Sequence, residues 1–212
     1  MSEANPFGRG RLRRRFGLDR SAPPPKVTRK GEPLNPWTLP NLVGLVRFLA
    51  IPVFLLMAYN TEDGTSFAAA MVFWAIAAGD YLDGFLARAT GQYSRLGTLL
   101  DPFVDRLTVL AGAVVCWGFE LLPRWLLLLL LAREVAMLIL AQYGLRHGVD
   151  IEVNWPGRIA VFPTMGGIWL ALFAPGWVAT ALVIWGTAMA ILATVLYART
   201  GMRQARAARA SG

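Results

Sequence analysis

Six apolar runs dominate this 212-residue chain and leave it few folds to choose from. They read as spans at about 39–58, 66–88, 98–119, 122–145, 158–174 and 177–198. Each is near the ~20 residues that cross a bilayer as a helix. In hydrocarbon every backbone N–H and C=O must be satisfied within the protein, so such runs are predicted to be helical. The last two are joined through Pro175, Gly176 and Trp177, a break that suits a tight helical hairpin. The expected fold class is therefore all-α and integral to a membrane, with six transmembrane helices. Composition agrees: 56% of residues are hydrophobic and the mean hydropathy is +0.47, against roughly 45–50% apolar in soluble domains.

The polar ends divide the chain into three parts. Residues 1–36 form a basic tail broken by glycine and proline, read as disordered or lying on anionic lipid. No apolar core follows its arginines within signal-peptide distance, so it does not read as a cleaved signal. Residues 37–199 form the six-helix domain, and 200–212 a second basic tail. The net charge of +8 is gathered beside the spans, which points to lipid head groups and not to nucleic acid. With the N-terminus inside, the 89–97 and 146–157 loops and both tails face the cytoplasm, and Arg124 is the one basic residue of the outer loops. The expectation is a multi-pass protein of the cell membrane with both termini cytoplasmic. A single cysteine, Cys116, excludes an internal disulfide, and with one histidine, His147, a His/Cys zinc site is excluded in a monomer.

Four carboxylates interrupt this apolar pattern. Asp80 and Asp83 are spaced i, i+3, and Asp101 and Asp105 are spaced i, i+4, so each pair shares one helix face. An ionised carboxylate at mid-bilayer costs ~2.5–3.5 kcal/mol on insertion scales, so such residues normally face a cavity and bind something. Four like charges repel, divalent cations relieve the repulsion, and oxygen-only ligands favour Mg²⁺, Mn²⁺ or Ca²⁺. Gly84 and Ala87 follow Asp80 and Asp83 by one turn, and Gly97 precedes Asp101 by one turn. These small residues would let a flat or phosphate-bearing ligand approach the backbone. Arg88 stands where a guanidinium could meet a phosphate.

The pattern Asp80-x2-Asp83-Gly84-x2-Ala87-Arg88-x8-Gly97-x3-Asp101-x3-Asp105 resembles the signature of the CDP-alcohol phosphatidyltransferase family at all eight of its defined positions. That resemblance implies a six-helix membrane enzyme, often a homodimer, that displaces CMP from a CDP-linked lipid with an alcohol. It implies that two Mg²⁺ (or Mn²⁺) ions are held by Asp80, Asp83, Asp101 and Asp105, with Asp105 also the general base. It implies that Asp80, Gly84, Ala87, Arg88 and Gly97 border the CDP site, at a polar cavity facing the cytoplasm.

The acceptor is read from the remaining spans. Residues 39–54 resemble the start of bacterial phosphatidylglycerophosphate synthases, and Ala132-Arg133-Glu134 and Trp155-Pro156-Gly157-Arg158 resemble their second half. The expected reaction therefore joins CDP-diacylglycerol to sn-glycerol 3-phosphate, a small phosphorylated alcohol, with Arg133 and Arg158 on the acceptor phosphate. The usual lysine and threonine after the last motif are replaced by Ile159, Ala160 and Val161. Cardiolipin synthesis from phosphatidylglycerol is the nearest rival and phosphatidylinositol phosphate synthesis ranks third. Two readings lie outside the family. A membrane prenyltransferase would separate its aspartate clusters by about a hundred residues, where here Asp80 and Asp101 are 21 apart. A cation transporter would continue its acidic residues toward the far membrane face, where the third span offers only Glu120.

Overall fold

The computed structural model describes residues 37–146 and 155–210. The basic tail at 1–36, the loop at 147–154 and His147 lie outside the described residues. Among the described residues every element is a helix: α1 Leu39–Tyr59, α2 Phe67–Thr90, α3 Arg95–Gly118, α4 Arg124–Arg146, α5 Trp155–Ala171 and α6 Trp177–Ala210. Six apolar runs thus become six helices. Among the described residues, three stretches are long and apolar enough to cross a membrane, Leu39–Tyr59, Phe67–Thr90 and Trp177–Thr200. Charged residues inside α3 (Asp101, Asp105, Arg106) and α4 (Arg133, Glu134) make those helices less apolar.

Capping sets the helix boundaries. Ser66 starts α2 by accepting the Ala69 N–H at 3.2 Å, and Ser94 starts α3 by accepting the Gly97 N–H at 2.9 Å. The third helix therefore opens at Arg95, three residues earlier than hydropathy alone suggests. Gly91, with φ 68°, ends α2 in the left-handed conformation that glycine adopts without strain. A non-glycine takes that role after α3. Glu120 has φ 57° while the Leu121 N–H reaches the Cys116 carbonyl at 3.0 Å, a Schellman closure. Arg124, the first residue of α4, fixes the Glu120 carboxylate at 2.6 Å. In the α1–α2 loop, Asp63 accepts the backbone N–H and hydroxyl of Thr65, and these bonds hold its carboxyl below the ordinary aspartate range.

The sixth helix runs well past the sixth span. Hydropathy closes the span near 198, but the following Arg/Ala-rich segment has high helix propensity, and α6 continues to Ala210.

The chain divides into two compact units. One holds α1 as far as Phe54 together with Val72–Thr108, and the other holds Leu55–Met71 and the chain from Val109 onward. In the first unit Phe54 and Phe73 stack at 5.3 Å, fully buried. In the second, α5 and α6 form the expected hairpin, and glycines set how closely they approach. A Cβ on Gly186 would lie 2.1 Å from the Thr164 hydroxyl and 2.6 Å from its backbone nitrogen. One on Gly167 would lie 2.5 Å from Val183 Cγ2 and 2.8 Å from the Ala179 carbonyl oxygen. This is the small-residue packing by which helices associate in lipid.

The exposed surface of α1 is apolar and its buried face carries the polar residues. Leu42, Val46, Leu49, Val53 and Leu56 form one exposed stripe. Asn41, Arg47, Ile51, Phe54 and Ala58 form the buried one. Such a helix suits lipid outside and polar partners inside.

Gly186→Ala is expected to destabilise the protein by about 1–3 kcal/mol through overpacking. Gly166→Ala, with nothing within 4 Å of its added methyl, is the control expected not to destabilise the protein. Thermal unfolding of both variants in detergent measures the difference.

Candidate active site

The first unit gathers the aspartates around a residue of α1. Arg47 lies on the buried face of an apolar helix, with its side chain 4% exposed. Its Nη1 donates to Asp83 Oδ2 at 2.9 Å and its Nη2 to Asp105 Oδ1 at 2.6 Å. The Nε donates to the Ile76 carbonyl at 2.9 Å, and Asp80 Oδ1 stands 3.7 Å from Nη1. One guanidinium thus faces three of the four signature carboxylates. Gly79 makes the seat: a Cβ there would lie 2.7 Å from Arg47 Cδ and 2.8 Å from Cγ.

The carboxylates differ in access. Asp83 is buried, with a side-chain exposure of 3%, whereas Asp80 and Asp105 stand at 51% and 42%. Asp101 faces α1 one turn before Arg47, where a Cβ on Gly44 would lie 3.9 Å from its Oδ1. Pro102 follows it inside α3 and cannot donate a backbone hydrogen bond, so the carbonyl of residue 98 loses its usual helical donor beside the cluster. Removing one member of a buried ion pair typically costs about 3–5 kcal/mol, because the other charge is left uncompensated. Arg47 and Asp83 therefore fix each other.

A second polar group lies at the start of α3. The Ser94 hydroxyl donates to Asn41 Oδ1 at 2.7 Å while accepting the Gly97 N–H, and both side chains are buried. The neighbouring Gln92 Oε1 accepts the Leu39 N–H at 3.0 Å, which ties the α2–α3 loop to the start of α1. The space that a side chain would take at Gly97 is held by Asn41 Oδ1, 2.8 Å from an added Cβ, and by Ser94 Oγ at 3.1 Å. At Gly84 the nearest neighbour is Arg88, whose Nη1 would lie 3.2 Å from an added Cβ. Both patches are therefore bordered by polar side chains of this chain, and Ala87 lies half-buried one turn beyond Asp83.

The two acceptor candidates belong to the second unit. Arg133 pairs with Glu134, and its Nε points to the Ala190 carbonyl of α6 at 3.4 Å. Arg133 is therefore one member of an ion pair and not a lone cation. Arg158 lies in the first turn of α5.

Arg47, Asn41 and Ser94 were not among the residues drawn from the motif. A lone arginine within an apolar run is itself a signal, since it must face a partner or a cavity. Asn41 and Ser94 carry no comparable mark.

Among the described residues, no three Asp, Glu, His or Cys side chains converge as a ready metal cage. The donor set nonetheless fits a hard divalent cation. It is oxygen-only, and a cation, the Arg47 guanidinium, already stands among its members.

Comparison with known proteins agrees with the signature. The profile of the CDP-alcohol phosphatidyltransferase family matches residues 37–197, from the threshold of α1 into α6. The chain belongs to the CDP-alcohol phosphatidyltransferase family and is an enzyme of that class. It is 39% identical over 166 residues to the CMP-forming cardiolipin synthase of Streptomyces coelicolor, covering 76% of this chain and 77% of that one. It is 32% identical over 181 residues to the CDP-diacylglycerol–glycerol-3-phosphate 3-phosphatidyltransferase of Escherichia coli K12, covering 82% of this chain and 96% of that one.

Asn41→Ala leaves the buried Ser94 hydroxyl without its acceptor, at an expected loss of about 1–3 kcal/mol. Gly97→Ala alone crowds Asn41, so its destabilisation is expected to shrink when Asn41 is already alanine. A double-mutant cycle by thermal unfolding reads that coupling; additive effects would refute the contact.

Proposed function

We propose that this enzyme transfers the phosphatidyl group of CDP-diacylglycerol to a glycerol-phosphate acceptor and releases CMP. The observation that carries the reading is the complete eight-residue signature, with three of its aspartates drawn around one guanidinium. In the reaction the acceptor hydroxyl attacks the phosphorus that bears diacylglycerol. A new P–O bond forms, the bond from that phosphorus to the CMP oxygen breaks, and the hydroxyl proton passes to a carboxylate. Asp105 is assigned that proton because it is accessible and aligned by Arg47, while buried Asp83 is suited to holding the site together. Asp80, Asp83, Asp101 and Asp105 would hold two divalent ions, Mg²⁺ or Mn²⁺, which when bound offset charge on the pyrophosphate and the leaving CMP. Gly84, Ala87, Arg88 and Gly97 border the nucleotide.

The acceptor has two readings with shared chemistry, a glycerol hydroxyl beside a phosphate. sn-Glycerol 3-phosphate comes first, on the relative from E. coli that carries this acceptor in its name and is matched along 96% of its length. Arg158 then meets the acceptor phosphate, and Arg133 joins it by exchanging Glu134 for the phosphate. Phosphatidylglycerol is the second reading, favoured by the 39% identity to a cardiolipin synthase and by Ile159, Ala160 and Val161 after the motif. Either reading carries a homodimer, six membrane crossings, cytoplasmic termini and a cytoplasm-facing cavity in the cell membrane. The basic loops motivate the orientation.

Asp80→Asn, Asp83→Asn and Asp101→Asn are each expected to abolish most CMP release, as is chelation of divalent metal. Asp105→Asn is expected to slow turnover by about 10²–10⁴-fold, the usual contribution of a general base, while CDP-diacylglycerol binding survives. Equal loss of binding in Asp105→Asn and Asp83→Asn would assign Asp105 to binding instead.

The acceptor is decided by measuring CMP release from CDP-diacylglycerol in mixed micelles with glycerol 3-phosphate, phosphatidylglycerol or inositol 1-phosphate. Release that requires glycerol 3-phosphate is the expected result. Release that requires phosphatidylglycerol replaces the first reading with the second. With the expected acceptor, Arg158→Ala raises the KM for glycerol 3-phosphate far more than that for the CDP-lipid.

A further inference from the structure

Arg47 lies outside the eight-residue signature, yet its side chain is fully committed within the site. All three of its nitrogens are used: Nε on a backbone carbonyl, Nη1 on Asp83 and Nη2 on Asp105. Its stem rests where Gly79 has no side chain. A seat built from a backbone acceptor, a missing Cβ and two carboxylates is specific to a planar fork; an ammonium cannot fill it. We infer that Arg47 is the resident counter-ion of the aspartate cluster, a positioning residue that keeps the cluster folded before a divalent cation arrives and weakens the cluster's affinity for that cation.

The inference rests on the metal reading of the four aspartates and goes beyond it. Two effects of Arg47 on a bound cation oppose each other. By bonding one oxygen of Asp83 and one of Asp105 it orders both side chains, which favours binding. By placing a unit positive charge inside the ligand set it repels a double one. The Coulomb energy scales with the product of the charges and falls only as the inverse of their distance, so repulsion of a doubly charged ion outweighs the ordering of two short side chains. Without the guanidinium, Asp83 and Asp105 lose the cation that bonds them both. The metal-free protein then becomes less stable and the metal binds more tightly. These are two faces of one linkage, because whatever binds only the folded state stabilises it. An affinity held down in this way suits a cation that arrives with, or is completed by, a substrate pyrophosphate, as magnesium sites commonly are.

The test uses full-length protein in detergent and Mn²⁺ alone as the probe, followed by its electron paramagnetic resonance signal and by thermal unfolding. Arg47→Gln is expected to tighten the Mn²⁺ dissociation constant by about tenfold or more. It should also lower the unfolding midpoint in chelator, with the gap to wild type narrowing in saturating Mn²⁺. Gly79→Ala, which pushes the guanidinium from its seat while leaving every charge in the chain, should shift both readouts the same way by less. Arg47→Lys, which keeps the charge but cannot bond both carboxylates at once, should shift both readouts the same way as Arg47→Gln by less. Tighter binding in either Arg47→Gln or Gly79→Ala supports the inference. If Arg47→Gln does not fold, Gly79→Ala decides alone. Unchanged or weaker Mn²⁺ binding in the variants that fold overturns it, including the case in which Arg47→Gln raises only the KM for CDP-diacylglycerol and acts as a phosphate ligand. A wild-type protein that binds no Mn²⁺ removes the metal reading and this inference together; Mn²⁺ binding that Asp83→Asn abolishes but Arg47→Gln does not tighten removes this inference alone.

Discussion

The fork of Arg47 between Asp83 and Asp105 joins three helices. α1 supplies the cation, α2 one carboxylate and α3 the other. Each of the three helices would otherwise bring an uncompensated charge into an apolar setting, where its transfer from water is prohibitive. Together they satisfy one another, and the glycine at position 79 lets the helices come close enough for them to do so. The arrangement of the reactive residues follows from this need for compensation. Asp83 is sealed in with the guanidinium, while Asp80 and Asp105 remain accessible.

Lipid changes what the rest of the packing must accomplish. In water, the exposed leucines and valines of α1 would be a liability; against acyl chains they cost nothing. The interior is therefore free to hold polar residues, and cohesion depends on close contact and hydrogen bonds more than on burial of apolar area. The α5–α6 hairpin shows the contact side of this, with Thr164 and Val183 occupying the volume that glycines leave open. The Asn41–Ser94–Gly97 group shows the hydrogen-bond side, with each buried polar atom meeting another across two helices.

The helices were legible because lipid imposes a blunt rule on sequence. A predominantly apolar run near 20 residues can be little else, and all six runs became helices. Their ends were less legible where a short-range device overrides hydropathy. Ser94 opens α3 early by capping it, and the Arg/Ala-rich segment carries α6 past the apolar limit. The aspartates were legible because their spacing places each pair on one face. The arginine that binds them was not drawn from that motif, since its partners lie 36 and 58 residues away and no periodicity links them. Arg133 shows the converse. Its position in an apolar helix marked it out, but the residue that neutralises it is its immediate neighbour, Glu134.

The same separation has a consequence for how the protein is made. α1 emerges from the ribosome before either of its carboxylate partners does. Arginine at the middle of an inserting helix carries a penalty of about 2.5–3.5 kcal/mol. The leucines, valines and phenylalanines around Arg47 offset that penalty and deliver the helix to the bilayer with its cation unmatched. Synthesis of α2 brings Asp83 and closes one arm of the fork; the other stays open until α3 brings Asp105. The polar centre is thus assembled in chain order, and both arms of the fork are filled only when all three helices are present.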